Sequence, residues 1–326
     1  GAGVPQYGQL MLGYNSGTER LEITAVRVRK PDGSVVATPP GSVQDLTAPV
    51  QRVAPIYTDF RQKHVTVQSL RPGDTLEFGF VADIHTPLAA GQFWVEHDFQ
   101  QGAIILEDLL EIDVPAGRSV TLKTRPGFDP AVSEAGGRRT YRWTRSRLVR
   151  EDEAASKKEE AGAPKAAAVR LTTFQSWEEV GRWYAGLEAP QRVPTPEIRK
   201  KAAELTAGLS SDQAKLEALY TFAATGFRYV SLSLGAGRYQ PRAAGDVLRD
   251  QYGDCKDKHT LLASLVEAAG MHADAVLINS SRRIDPDFPS PSEFDHVITR
   301  AAAGGREIWL DTTPEVAPFE LLPLPL

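Results

Sequence analysis

The hydrophobic pattern of this 326-residue chain changes period once, and that change limits the possible folds more than any other feature. Up to about residue 150, apolar positions alternate with polar ones, as in Leu21-Glu22-Ile23-Thr24-Ala25-Val26-Arg27-Val28-Arg29. Similar short stretches follow at 35–36, 64–67, 75–80, 93–99, 109–114, 120–123 and 140–143. Turn chemistry separates them, at Pro31-Asp32-Gly33, at Leu70-Arg71-Pro72-Gly73-Asp74 and at Pro115-Ala116-Gly117. Many short strands with no helical stripe predict an antiparallel, sandwich-like all-β domain over residues 1–150. Residues 151–170 mix charge and alanine without an apolar stripe and read as a linker.

From about residue 170 the period lengthens to that of a helix. Ser176-Trp177-Glu178-Glu179 has the form of a capping box before Val180, Trp183, Tyr184 and Leu187. Pro196 opens a second helix that runs to Gly208, and Ser211-Asp212 opens a third that closes at Gly226. Residues 227–234 look extended, and 242–252 read as a short helix or turn. After a helix beginning at Cys255 come three strands, over 275–279, 294–300 and 307–311. Helices followed by an antiparallel sheet predict an α+β domain over residues 171–326.

Bulk properties remove several functions. Thirty-seven basic residues against 42 acidic ones give a net charge of −5, and no basic block stands out, which argues against nucleic-acid partners. No apolar run approaches the roughly 18 residues of a membrane span, and no signal-peptide pattern is present. The ends, Gly-Ala-Gly-Val and Leu-Pro-Leu-Pro-Leu, read as those of an excised piece of a longer chain. A single cysteine cannot form an internal disulfide. His64, His85 and His97 share no metal-ligand spacing, and no cofactor motif occurs.

The one cysteine lies in Tyr252-Gly253-Asp254-Cys255-Lys256-Asp257-Lys258-His259. Leu261, Leu262, Leu265, Val266 and Ala269 continue as the stripe of a core-facing helix, and Gly270 ends it. Asp254 is a good N-cap, so Cys255 falls in the first turn, where exposed N–H groups and the dipole favour a thiolate. Lys256 and Lys258 add positive charge nearby. A nucleophilic cysteine needs a base, and the base needs a third group to orient it. His296 lies in one strand and Asp311 in the next. If 300 faces 307, then 296 faces 311, and the two side chains are cross-strand neighbours. Trp309 would share the face of Asp311 and shield the imidazole. His259 competes as the base because it is one turn beyond Cys255, but no obvious partner orients it and it reads as a solvated position. Cys255, Asp257 and His259 match no common zinc pattern.

With these residues in place, the sequence resembles the transglutaminase-like superfamily, with its papain-like cysteine core. Tyr-Gly-Asp-Cys-Lys-Asp-Lys at 252–258, Phe-Asp-His-Val at 294–297, Trp-Leu-Asp-Thr-Thr at 309–313 and the upstream Phe-Arg-Tyr-Val-Ser-Leu carry the likeness. Residues 1–165, with Leu-Arg-Pro-Gly-Asp-Thr-Leu-Glu-Phe at 70–78, resemble the β-rich domain of unknown function that precedes this core in a bacterial subgroup. The resemblance implies Cys255 as nucleophile, His296 as base, Asp311 as orienter, and a thioester formed with a peptide or protein amide. Water as second substrate makes a protease or amidase; an amine makes a cross-linking transferase. The oxyanion would be held by the Cys255 N–H and one side chain, with Gln240 and Tyr239 as candidates. The acidic, proline-rich stretch 285–293 either borders the cleft or is a plain surface loop. Family habit implies export beyond the cytoplasm or membrane association of the full-length protein. The competing class is a binding module, in which the β-rich domain recognises a protein or glycan and the core is a scaffold.

Overall fold

The structure, a computed structural model, describes residues 4, 7–47, 59–99, 104–148, 167–230, 238–314, 316 and 318–322. Residues 151–166 of the expected linker (151–170) and 231–234 of the expected extended stretch (227–234) lie outside the described residues. The chain forms two compact units, Gly1–Ala90 with Val230–Gln240, and Gly91–Tyr229 with Pro241–Leu326.

The first unit is built from β1 (Gln9–Asn15), β2 (Glu19–Arg29), β3 (Val35–Ala37), β4 (Val43–Thr47), β5 (Phe60–Thr66) and β6 (Thr75–Ile84). They make two antiparallel sheets in the orders β1-β5-β4 and β3-β2-β6. Leu10 and Val65 from one sheet and Val26 and Val28 from the other share a small core. The alternation in residues 21–29 changes phase at Ala25-Val26, where an irregularity in the pairing with β6 lets Leu21, Val26 and Val28 all be buried.

The second unit begins with a comparable pair of sheets. Strands β7 (Trp94–His97), β8 (Ile105–Pro115), β9 (Thr121–Thr124), β10 (Ala131–Ala135), β11 (Arg138–Leu148) and β12 (Val169–Thr172) pair as β10-β11-β8 and β7-β12-β9. Ile112, Tyr141 and Trp143 meet Val169 and Leu171 in their common core. Strand β12 falls where the sequence pattern predicts the end of a linker and the onset of helices. Its four residues are all buried, including Arg170. A central strand enclosed on both faces loses the alternation that marks an amphipathic strand.

The helices follow as α1 (Trp177–Glu188), α2 (Pro196–Thr206), α3 (Asp212–Thr225), α4 (Ala244–Asp250) and α5 (Cys255–Ala268). Ser176, Thr195 and Ser211 cap the first three, each accepting a backbone N–H from the first turn. Helix α5 is the centre of this part, packed against α2, α3, α4 and the final sheet. That sheet is β15 (Ala273–Ile278), β16 (His296–Ala303) and β17 (Arg306–Leu310), in that order and antiparallel throughout. A two-residue parallel contact joins β13 (Arg228–Tyr229) to β14 (Tyr252–Gly253), just ahead of the cysteine. Among the described residues no helix is long and apolar enough to cross a membrane.

Leu261, Leu262 and Leu265 of α5 are fully buried in a core shared with Ala301, Ile308 and Leu310. Leu265→Ala removes packing from its middle, and a loss of about 2–5 kcal/mol in urea-induced unfolding is expected. A loss under about 1 kcal/mol would show that α5 is not the centre of the core.

Candidate active site

The cysteine turn is held by hydrogen bonds that the local sequence makes with itself. Asp254 accepts the N–H of Lys256 at 3.1 Å and of Asp257 at 3.2 Å, and its own N–H donates to Asp257 Oδ2 at 3.4 Å. That is a complete capping box, so Cys255 is the first residue of α5. Gly253 is obligatory for a steric reason, because a Cβ there would lie 2.6 Å from Asp257 Cβ. Arg242 ties the approach down: its N–H donates to Asp257 Oδ1 at 2.8 Å, Nη1 donates to the Tyr252 carbonyl at 3.1 Å, and Nη2 pairs with Asp250. Burial, and then the neighbouring Asp254, push the Asp257 carboxyl up to about 6. Neither Gly253 nor Arg242 carried a signal in the sequence beyond lying near the cysteine.

The lysines do less for the thiol than their positions imply. Lys256 is buried and paired with Asp254. Lys258 is fully buried and donates to the Ala224 and Phe227 carbonyls at 2.8 and 3.0 Å, at the C-terminal end of α3. Lys256 still lies close enough to Cys255 to interact with it, and His296 is a second positive group beside the sulfur.

His296 begins β16 and donates from Nε2 to Asp311 Oδ2 at 2.9 Å. The register that joins them differs from the predicted one. Ala302, not Arg300, faces Glu307, because the turn is the two residues Gly304-Gly305 closed by the pair Ala303 and Arg306. Both glycines have positive φ, +60° and +76°, as a tight hairpin turn of this hand requires. The slip is two residues, an even number, so His296 and Asp311 keep the same face and become diagonal rather than direct neighbours. Asp311 follows β17 directly and is buried; its Oδ1 accepts from the Thr313 N–H at 2.9 Å and the Thr313 hydroxyl at 2.5 Å. Tyr220 donates to the Asp311 carbonyl at 2.9 Å. With Nε2 engaged by Asp311, Nδ1 is the remaining ring nitrogen, and Cys255 lies close enough to help raise the pKa of the imidazole.

Burial opposes a charge on His296, but the hydrogen bonds to Asp311 and Cys255 outweigh it and push its pKa up to about 10. Burial likewise opposes a charge on Asp311, and the bonds from His296 and Thr313 overcome it and hold the carboxyl below its ordinary value.

Two other expectations change. Trp309 is 37% exposed and pairs with Arg300, so it does not cover the imidazole. His259 is fully buried rather than solvated, with Nδ1 2.7 Å from Thr299 Oγ1 and Nε2 3.7 Å from Glu188 Oε1. It therefore has orienting partners, which the spacing along one helix could not reveal.

The 285–293 stretch is a structural strut more than a plain surface loop. Phe288, Ser290 and Glu293 are fully buried, and only Pro286 and Asp287 are exposed. Glu293 receives Arg170 at 2.9 Å and Arg282 at 2.7 and 3.0 Å, while Asp285 receives Arg170 and Lys123. The network fixes the chain three residues ahead of His296.

Tyr239 and Gln240 lie in the segment Val230–Gln240, which belongs to the first compact unit, where the Arg238 guanidinium sits 5.3 Å from the Tyr239 ring centre. Among the described residues no group of three His, Cys, Asp or Glu side chains is placed to hold a metal.

A helix carrying a cysteine at its first turn is backed by an antiparallel sheet that presents a histidine bonded to an aspartate. Residues 199–306 match the family model of the transglutaminase-like superfamily, and residues 1–150 match a domain of unknown function with solved structure (DUF3857). The chain thus carries a transglutaminase-like core behind that β-rich N-terminal domain. The fold is similar to the crystal structure of a protein described as a "putative protease" from Parabacteroides distasonis, with a TM-score of 0.75 at 19% identity. That match covers 96% of this chain, which spans 61% of the length of the other. A structure described as a "putative cysteine protease" from Cytophaga hutchinsonii matches 68% of this chain and 71% of its own, at 16% identity and a TM-score of 0.32. No curated protein matches the chain.

The charged form of His296 stabilises the fold, because its folded pKa lies above the ordinary 6.5. That contribution is complete below about 6.5 and is lost as pH rises through about 10. An NMR titration of the imidazole is expected to show it still protonated at pH 8. In Asp311→Asn the midpoint should fall by about one to three units. An unchanged midpoint would mean that Asp311 does not hold the charge.

Proposed function

We propose that the protein is a cysteine acyl-transfer enzyme in which Cys255 is the nucleophile, His296 the acid and base, and Asp311 the orienter. The reading rests on one observation above the others: His296, hydrogen-bonded to Asp311 at 2.9 Å, stands beside Cys255 at the first turn of α5. A protonated imidazole beside the sulfur stabilises the thiolate before substrate arrives. The thiolate attacks a peptide amide carbonyl, and the oxyanion is met by the Cys255 N–H. His296 then gives its proton to the leaving amine, the C–N bond breaks, and a thioester remains on Cys255. In the second step His296 takes a proton from water as it attacks the thioester, releasing a carboxylic acid and restoring the thiol.

The acyl donor in this reading is a peptide or protein amide, and the acceptor is water rather than an amine, because water is always available and no amine site is identified. The protein described as a protease that shares the fold agrees with that choice of substrate class. The division into a β-rich domain over 1–150, a linker over 151–170 and a core over 171–326 is proposed in the same sense, as a division by sequence family.

Two measurements test the reading. Iodoacetamide at pH 6 is expected to alkylate Cys255, with no modification in Cys255→Ala and a rate at least tenfold lower in His296→Ala, whereas His259→Ala retains most of it. Mass spectrometry of the native chain quenched with a peptide library should show an acyl adduct on Cys255. A thiol unreactive at pH 6, or a His259→Ala variant that loses the reactivity while His296→Ala keeps it, would overturn these roles.

A further inference from the structure

The second unit contains a cavity of about 670 Å³ whose walls are α1 on one side and β15 on the other. Four consecutive residues of β15, Asp274 to Leu277, line it. Side chains of a strand alternate between faces, so a space that touches four in succession lies along the strand's edge. In its sheet β15 is an outer strand, and among the described residues it pairs with β16 alone. Its other edge therefore offers backbone N–H and C=O groups to the cavity.

The helical wall is apolar at Trp177 and Val180 and polar at two points. Tyr184 and Glu188, one turn apart, are each 5% exposed; among the described residues neither Tyr184 Oη nor Glu188 Oε1 has a hydrogen-bond partner, and Glu188 has only the longer ion pairs to His259 at 3.7 Å and Arg192 at 3.6 Å. Buried polar atoms of that kind are costly unless something supplies the missing bond. The groove also leads to the cysteine site. Ile278, the last residue of β15, stands opposite His296. Phe294, two residues before His296, also lines the groove.

We infer that this groove binds the substrate as an extended, uncharged peptide segment that adds a strand to the open edge of β15. The segment lays apolar side chains against Trp177 and Val180 and offers polar hydrogens to Tyr184 and Glu188. The inference rests on the acyl-transfer reading for its occupant but not for its geometry. Strand addition supplies affinity through main-chain bonds, and the pockets facing alternate side chains supply selectivity. The space lies between a helix and a strand edge, so a single extended segment, an unfolded stretch or a chain terminus, is the form of substrate that fits.

Gly181 gives a clean test, because it lines the groove in the middle of α1 and a Cβ built there meets nothing within 4 Å. The protein to use is the full chain with Cys255→Ala, which prevents turnover. The probe is an acetylated, amidated hexapeptide of alternating valine and threonine, with a control whose backbone nitrogens are methylated at alternate residues. Hydrogen exchange of residues 274–278 is expected to slow at least tenfold with the probe and not with the methylated control. Gly181→Phe should raise the probe's Kd at least tenfold, and Gly181→Ala should change it less than twofold. The proposal is overturned by absence of protection at millimolar probe, or by equal binding of the control. It is equally overturned by unchanged affinity in a folded Gly181→Phe, or by protection that appears only as the chain self-associates. An inert Cys255 in the native chain would sink the enzyme reading and leave a positive binding result intact. A peptide-cleaving enzyme whose Gly181→Phe variant binds the probe normally would sink the groove alone.

Discussion

The structure depends on burying the polar end of a helix. Eleven of the 14 residues of α5 are buried, and the first of these in sequence are Lys256, Asp257, Lys258 and His259. Charged groups removed from water are tolerated only with partners, and each one here has its own. Lys256 meets Asp254, Asp257 meets the Arg242 backbone, Lys258 meets two carbonyls, and His259 meets Thr299. These bonds fix the first turn in position and leave Cys255, half-buried, as the one member of the run aimed at His296. The same apolar surroundings that make unpaired charge expensive strengthen the bond between His296 and Asp311.

A second constraint acts from the other side. Glu293 is fully buried and lies between two guanidiniums, Arg170 from a central β-strand and Arg282 from the loop after β15. Burial by itself would raise its pKa, but the hydrogen bond from Arg282 leads the effects that hold it lowered. Asn279 donates to the Glu293 carbonyl at 2.7 Å, and Ser280 donates its N–H to Asp295 at 2.7 Å. The segment entering β16 is thus bonded along its length, and His296 inherits a defined position from it. The helix of Cys255 and the strand of His296 are each set by a buried electrostatic network rather than by apolar packing alone.

Much of this was legible in the order of residues, and the limits have identifiable causes. Caps at Ser176, Thr195, Ser211 and Asp254 act over three or four residues, so their bonds can be read locally. The hairpin of His296 and Asp311 was legible in parity but not in register. Gly304-Gly305 can turn the chain in two residues, and a longer turn from Ala301 was equally compatible with the sequence. Strand β12 was missed because enclosure on both faces erases alternation. His259 was misread because its partners, Thr299 and Glu188, come from a strand and a helix far along the chain.

The sequence by itself determined where strands give way to helices, which residue caps the cysteine helix, and that His296 and Asp311 share a face. Those features follow from the period of hydrophobicity and from bonds that span a few residues. Only the tertiary structure decided that Lys258 serves a helix end, that Arg170 and Arg282 clasp Glu293, and that Tyr184 and Glu188 line a groove beside an open strand. The reason is physical. Burial strips water from polar groups, and which groups then meet depends on elements that the chain brings together only once it has folded.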